Sequence, residues 1–213
     1  MRILALLLSL LSSAMPAVGD TPLTAAESKI AKEIGFDASL LAGIKAKGET
    51  FERLIGQTYE DEAVPSEGMV LLTRPGKGRS RLDRLREALR GTGYYAWFNE
   101  DLFGSGPDKI AVMRGSDDLR YLATVYVSAP NFSITHEQVV ERYLQWRDRL
   151  GLQLIGGNQD WLSARITKPP EDWAAFAGEV YEFCPDVVDQ GTLTVGKLAT
   201  EMKAHNELFL WWD

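Results

Sequence analysis

The chain has 213 residues, of which 45% are hydrophobic and 25% are charged, and its formal net charge is −7. This composition is typical of a globular protein, so a largely disordered chain is not the default expectation. The excess of carboxylates gives no general attraction for a phosphate backbone, so nucleic acid is not an expected partner. The single cysteine, Cys184, excludes an internal disulfide, and the fold must therefore be stable without one.

Residues 1–19 have the pattern of a secretory signal peptide. Arg2 is followed by the short apolar run 3–15, and residues 17–19 supply the small side chains of a cleavage site. The mature chain is expected to begin near Asp20. The apolar run is shorter than the roughly 20 residues of a membrane span, and no later stretch is apolar over that length. The sequence therefore predicts a soluble exported protein, periplasmic or secreted, with no integral membrane segment in the mature chain.

Two helices are predicted in the N-terminal segment, residues 20–62. Thr24 and Glu27 have the spacing of a capping box, and Asp37 can cap a second, shorter helix. The acidic run 60–62 has the composition of a solvated loop. We therefore expect an N-terminal helical segment that ends at this loop.

Short apolar runs alternate with segments of helical spacing in the main domain, residues 66–213. Strands are predicted at 69–73, 94–98, 109–113, 152–155, 161–166 and 208–212. Helices are predicted to start near Ser80, Ser116, Thr135, Pro169 and Thr194. The stretch 117–127 has features of both a strand and a helix, and the helix is favoured. The sequence thus predicts an α+β fold with a mixed or antiparallel sheet and helices packed mainly on one face.

The end of the chain carries a distinctive order of short motifs. YEFCPD at 181–186 closes a helix, VVDQG follows at 187–191, and after one more helix the chain ends in LWWD at 210–213. In this order the motifs resemble a bacterial family catalogued as domain of unknown function 4253, over about residues 131–213. The resemblance implies kinship with an uncharacterised family and implies no activity.

Cys184 has two interpretations. A nucleophilic or redox thiol needs a pKa lowered by a nearby cation or a helix N-terminus. Cys184 instead falls on the apolar face of a predicted helix near its C-terminus, where the helix dipole disfavours a thiolate. Neither histidine, His136 or His205, is close to it in sequence. These observations favour a buried structural cysteine, and the nucleophile remains the alternative.

Three aspartates near the C-terminus also have two interpretations. Asp186, Asp189 and Asp213 could converge to bind a cation or to act as an acid and base pair. Alternatively, Asp186 and Asp189 accept backbone N–H bonds in the turn before the last helix, and this interpretation is favoured. No His, Cys or Asp spacing matches a recognised metal site, so no metal and no cofactor are expected. Trp211 and Trp212 alternate on a strand, so one of them should face the core.

Two hypotheses for function remain open. A non-enzymatic binding module would engage a protein or a small polar ligand through an aromatic and acidic surface at its C-terminal end, and it is favoured because no catalytic constellation is recognisable. The alternative is a hydrolase-like enzyme that uses Cys184 or the pair Asp186 and Asp189. The candidate binding residues are Cys184, Asp186, Asp189, Gln190, Trp212 and Asp213.

Overall fold

A computed structural model of the protein describes residues 19–58, 60 and 62–213, so the predicted signal peptide lies outside the described residues except for Gly19. The described strands are β1 (Thr50–Gln57), β2 (Ala63–Thr73), β3 (Tyr94–Glu100), β4 (Asp108–Arg114), β5 (Gln153–Gly157), β6 (Trp161–Arg165) and β7 (Glu207–Trp211). The described α-helices are α1 (Ala25–Glu33), α2 (Ala38–Ile44), α3 (Gly78–Ala88), α4 (Asp118–Val125), α5 (His136–Leu150), α6 (Trp173–Phe183) and α7 (Val195–His205). A 3-10 turn spans Pro130–Phe132, and a π-helical turn spans Val187–Thr192. Among these residues, no helix combines the length and the apolar character that a membrane span requires.

The strands form one sheet in the order β1-β2-β4-β3-β5-β6-β7. Neighbouring strands are antiparallel except for β3 and β5, which are parallel with Phe98 opposite Gly156. A Cβ atom at Gly156 would lie 1.8 Å from the carbonyl oxygen of Phe98, so only glycine allows the two backbones to approach this closely. The predicted α+β class and mixed sheet are therefore confirmed.

Helices cover both faces of this sheet. Successive side chains of β3 point to opposite faces, so Trp97 packs in the core that includes α4 to α7, whereas Phe98 packs in the core that includes α1 to α3. The sequence predicted helices mainly on one face. The second layer forms because the central strands are apolar on both sides, as the continuously buried run 110–113 of β4 shows.

Two buried ion pairs hold the N-terminal helices against the sheet. Glu27 accepts a hydrogen bond from Lys45 Nζ at 2.7 Å and a second from the backbone N–H of Phe51, also at 2.7 Å. Glu49 accepts a hydrogen bond from Arg81 Nε of α3 at 2.6 Å. Because a buried charge is stable only with a partner, these pairs fix the position of α1 and α2 relative to the sheet.

The acidic run predicted to end the N-terminal segment connects β1 to β2. These two strands are paired on both sides of it, with Gln57 opposite Ala63. No strand was predicted at β1, where a register shift between Arg53 and Ile55 interrupts the alternation of buried and exposed side chains. The segment 20–62 therefore supplies an edge strand of the sheet as well as two helices.

Local capping signals predicted most helix starts. The capping side chains that accept backbone N–H groups at α1, α2, α5 and α7 are Thr24, Asp37, Thr135 and Thr194. The ambiguous stretch 117–127 is helical, as favoured, but its cap is Asp117 rather than Ser116, since the Asp117 carboxylate accepts the N–H of Leu119 at 3.0 Å.

Two predicted helix starts are wrong. α3 begins at Gly78 instead of after Ser80, because Asp108 of β4 accepts the Gly78 N–H at 2.6 Å and so satisfies the helix N-terminus from another element. α6 begins after Asp172, whose carboxylate accepts two backbone N–H bonds, and the prolines 169–170 precede the helix. In both cases a carboxylate supplies the cap in place of the predicted residue.

Candidate functional site

Five of the six predicted site residues come together where β7 meets the end of α6. α6 ends at Cys184, and the thiol of Cys184 donates to the carbonyl oxygen of Trp211 at 3.0 Å and accepts the N–H of Trp211 at 3.3 Å. The indole of Trp212 is buried and lies 3.4 Å from the carbonyl oxygen of Phe183, to which its Nε1–H donates. The side chain of Cys184 therefore closes the outer edge of β7 at Trp211.

Asp186 fastens the last residue of the chain. One carboxylate oxygen accepts the N–H of Asp213 at 2.9 Å, and the other accepts from Nε2 of Gln190 at 3.0 Å. Asn131 donates to the carbonyl oxygen of Asp213 at 2.8 Å from the other side. We call Cys184, Asp186, Gln190, Trp212 and Asp213 the C-terminal latch, because their bonds hold the end of the chain to α6 and the π-helical turn.

Asp189 is not part of the C-terminal latch. Its carboxylate is exposed and accepts a hydrogen bond from the hydroxyl of Tyr181 at 3.1 Å, which raises the pKa of that tyrosine. Asp186, by contrast, is buried. The two aspartates predicted as a possible acid and base pair therefore have different partners and different exposure.

The environment of Cys184 opposes nucleophilic chemistry. The side chain is fully buried, and burial raises the pKa of the thiol to about 12, although the backbone bonds from Trp211 and Val187 act in the opposite direction. A thiol with this pKa is almost entirely protonated at neutral pH, and the thiolate is the reactive form. Across the part of the chain that the structure describes, no group of three or more His, Cys, Asp or Glu residues could hold a metal ion.

A groove that the sequence analysis did not predict runs beside the C-terminal latch. We call it the β7 groove; it has a volume of about 370 Å³ and lies between β7, α7 and the π-helical turn. Its apolar lining residues are Val187, Leu198, Met202, Phe209 and Trp211, and its polar lining residues include Glu201, His205 and Glu207. The spacing of Leu198, Met202 and His205 along α7, and the alternation of Phe209 with Trp211, are the sequence signals that could have indicated it.

The outer edge of β7 is open beside this groove. Even-numbered residues of β7 bond to β6, as shown by the bonds from Ile166 N–H to Asn206 and from Trp212 N–H to Asp160. The N–H and C=O groups of Glu207 and Phe209 therefore point away from the sheet. Neither residue's outward backbone groups have a partner in the described part of the chain.

The opposite edge of the sheet, formed by β1, is contacted by other parts of the chain. At β1, the carboxylate of Glu27 accepts the N–H of Phe51. Further along β1, the carbonyl oxygen of Thr124 would lie 2.5 Å from a Cβ atom at Gly56, so α4 packs directly on this strand. Proteins commonly cover or block sheet edges against unwanted pairing. In the described part of the chain, the outward backbone groups of Glu207 and Phe209 on β7 have no contact of this kind.

Leu193 adds a strained, exposed apolar side chain next to the β7 groove. It follows the groove residue Thr192, is 67% exposed, and adopts a left-handed backbone conformation with φ +67°. A leucine in that conformation costs about 1 kcal/mol relative to glycine. Phe209 is also exposed, at 44%. The protein thus keeps two apolar side chains in solvent at this end of the sheet.

The fold and this site define a class of protein: an α+β domain whose C-terminal strand is fastened at one end and open along its outer edge. Residues 109–213 match the family model described as Domain of unknown function (DUF4253), as the motifs near the C-terminus indicated. The match begins within β4, before the predicted residue 131. No curated protein and no solved structure matches the chain.

The matched half does not contain a contiguous sheet. β4 lies within the match and β5 to β7 follow it, but β3, which comes before residue 109, is placed between β4 and β5. In this chain, strands from before residue 109 therefore complete the sheet to which the matched region contributes.

Proposed function

We propose that this protein is an exported, non-enzymatic binding module that engages a protein partner through the β7 groove. The observation that carries the proposal is the contrast between two neighbouring sets of groups. The thiol of Cys184 and the carboxylate of Asp186 are buried, and both are hydrogen-bonded to backbone groups of residues 211–213. Beside them, the β7 groove exposes Phe209 and unpaired backbone groups. Exposed apolar surface of this kind is typical of an interaction site.

The hydrolase-like alternative has less support. Cys184 would need solvent access and a lowered pKa, and its burial acts against both. Asp186 already accepts two hydrogen bonds, which leaves it poorly placed to take a proton from a substrate. In our proposal the role of the C-terminal latch is structural, because it positions β7 and forms one end of the β7 groove.

Paired substitutions on the two edge strands test the binding surface. Phe209 on β7 and Ile55 on β1 are 44% and 47% exposed, so Phe209→Ser and Ile55→Ser remove similar amounts of exposed apolar surface. The tagged protein would be crosslinked in its host, and the partner identified, purified and titrated by calorimetry against all three proteins. We expect Phe209→Ser to weaken binding at least about tenfold and Ile55→Ser to leave it unchanged. Equal affinities would show that the β7 groove is not the binding surface.

The export proposal is supported by the signal-peptide pattern of residues 1–19 and has its own test. Cell fractionation followed by intact mass measurement should locate the protein outside the cytoplasm and show a chain that begins near Asp20. A cytoplasmic protein that retains residues 1–19 would contradict export without affecting the binding proposal.

A further inference from the structure

We propose that the β7 groove takes an extended segment of its partner as an eighth strand of the sheet. The segment has apolar side chains at alternate positions and a lysine or arginine that reaches Glu201. This inference rests on the proposed function and specifies the chemistry of the partner. The outward N–H and C=O groups at the edge of β7 can form hydrogen bonds with an added strand but not with a helix.

The hydrogen-bonding capacity of the edge sets the first requirement. Glu207 and Phe209 each present one N–H and one C=O group outward, because the residues between and beside them bond to β6. An added strand can pair with all four groups. A helix or a compact surface has no free row of backbone donors and acceptors to offer them, so the edge selects an extended backbone.

The length of the open edge is limited at both ends. At the C-terminal end, the thiol of Cys184 already occupies the outward N–H and C=O of Trp211. At the other end, Asn206 adopts a left-handed conformation at φ +49° and directly follows the last residue of α7. The added strand can therefore pair only between Asn206 and Trp211, over a stretch of about four residues.

The lining of the groove sets the side-chain requirement. Side chains of a strand alternate between the two faces, so every second residue of the added segment points towards α7. On that side the groove is floored by Leu198 and Met202, which favour apolar side chains.

Charge on the same side of the groove selects a basic residue. Glu201 of α7 is exposed and forms no ion pair with any residue in the described part of the chain. Glu207 differs, because its carboxylate already accepts from Arg79 at 3.0 Å and from the hydroxyl of Ser163 at 2.6 Å. Glu201 is therefore the carboxylate that can pair with a lysine or arginine of the partner.

A defined peptide mixture tests this inference on the folded protein. The probe is an equimolar library of acetyl-X-Thr-X-Thr-Lys-Thr-amide peptides in which X is Val, Ile, Leu or Phe. Two control libraries carry either Glu in place of Lys or N-methyl groups on alternate backbone nitrogens. The readout is the amide spectrum of the isotopically labelled protein, together with hydrogen exchange at Glu207 and Phe209.

The Lys library should shift the amide signals of Glu207 and Phe209 and slow their hydrogen exchange. The Glu library should bind about fivefold more weakly, and the N-methyl library at least about tenfold more weakly, since it loses backbone donors. Equal shifts from the Lys and N-methyl libraries would overturn strand addition while leaving the β7 groove as a binding surface. If no library shifts any groove signal at millimolar concentration, the inference is wrong, and the proposed function then stands or falls on the Phe209→Ser titration.

Two substitutions at one position separate backbone from side-chain effects. Phe209→Ala and Phe209→Pro both remove the ring, but only proline removes the outward N–H, and an edge position whose N–H faces outward tolerates proline. Binding of the Lys library should be at least about threefold weaker for Phe209→Pro than for Phe209→Ala. Equal affinities in two folded variants would show that the Phe209 N–H takes no part. If Phe209→Pro does not fold, the N-methyl library decides the same question on the wild-type protein.

Discussion

The burial of Cys184 leads to a quantitative prediction about thiol reactivity. Treatment of the native protein with a thiol-specific reagent at pH 8 should label Cys184 very slowly. The pKa of the thiol is raised from 9.0 to about 12 by burial, and each pH unit changes the thiolate fraction about tenfold. The native protein therefore contains about a thousandfold less thiolate than the unfolded chain at the same pH, and full burial slows the reaction further.

The assay compares the labelling rates of the folded and urea-unfolded protein by the absorbance of the released chromophore. The folded rate should be at least about a thousandfold lower and should fall when the fold is stabilised, because labelling requires transient opening of the latch. A matched control has Cys184→Ala combined with Ser116→Cys, which places a thiol at an exposed position and should label rapidly.

Rapid labelling of native Cys184 at neutral pH would refute this reasoning. It would mean that the thiol is accessible and ionised, and the hydrolase-like alternative would then replace the binding module. Slow labelling of the native protein, together with a lower free energy of unfolding for Cys184→Ala, would support the structural role of the C-terminal latch.

The two buried ion pairs of the N-terminal segment give the remaining predictions. Arg81→Met should lower the free energy of unfolding by about 3–5 kcal/mol in urea titrations, because it leaves Glu49 buried without its cation. The double variant with Glu49→Leu should recover part of that loss. An equal loss in both variants would contradict a coupled pair. Burial by itself raises the pKa values of Glu27 and Glu49. Hydrogen bonds from Lys45 and Arg81 and from nearby backbone N–H groups together outweigh that effect, so both pKa values lie below the ordinary 4.5. The stability that these carboxylates supply is therefore present above pH 4.5 and lost as the pH falls through their folded pKa values. Glu27→Gln should flatten the acid limb of the curve of stability against pH, and an unchanged limb would show that Glu27 does not contribute to it.

Part of the candidate site could be predicted from the sequence. The motif around Cys184 and the terminal tryptophans indicated that the end of the chain is important, and the structure brings those residues together. Their partners were not predictable, because the bonds of Cys184 and Asp186 reach residues 27 positions away. Their role in binding stays a prediction. The β7 groove was missed, since its lining joins α7 to a strand edge whose openness depends on the register with β6.

The amino-acid sequence by itself determined the elements whose signals are local. Thr24, Asp37, Thr135 and Thr194 cap helices through backbone groups two or three residues away, and such contacts form in almost any tertiary setting.

Only the tertiary structure decided the strand order, the two helical layers and the open edge of β7. The pairing of Phe98 with Gly156 spans 58 residues, and which faces become buried depends on that pairing. A short window of sequence carries the preference of a residue for a strand but not the identity of the strand beside it, and the exposure of Phe209 follows from the absence of a further strand at that edge within the described residues.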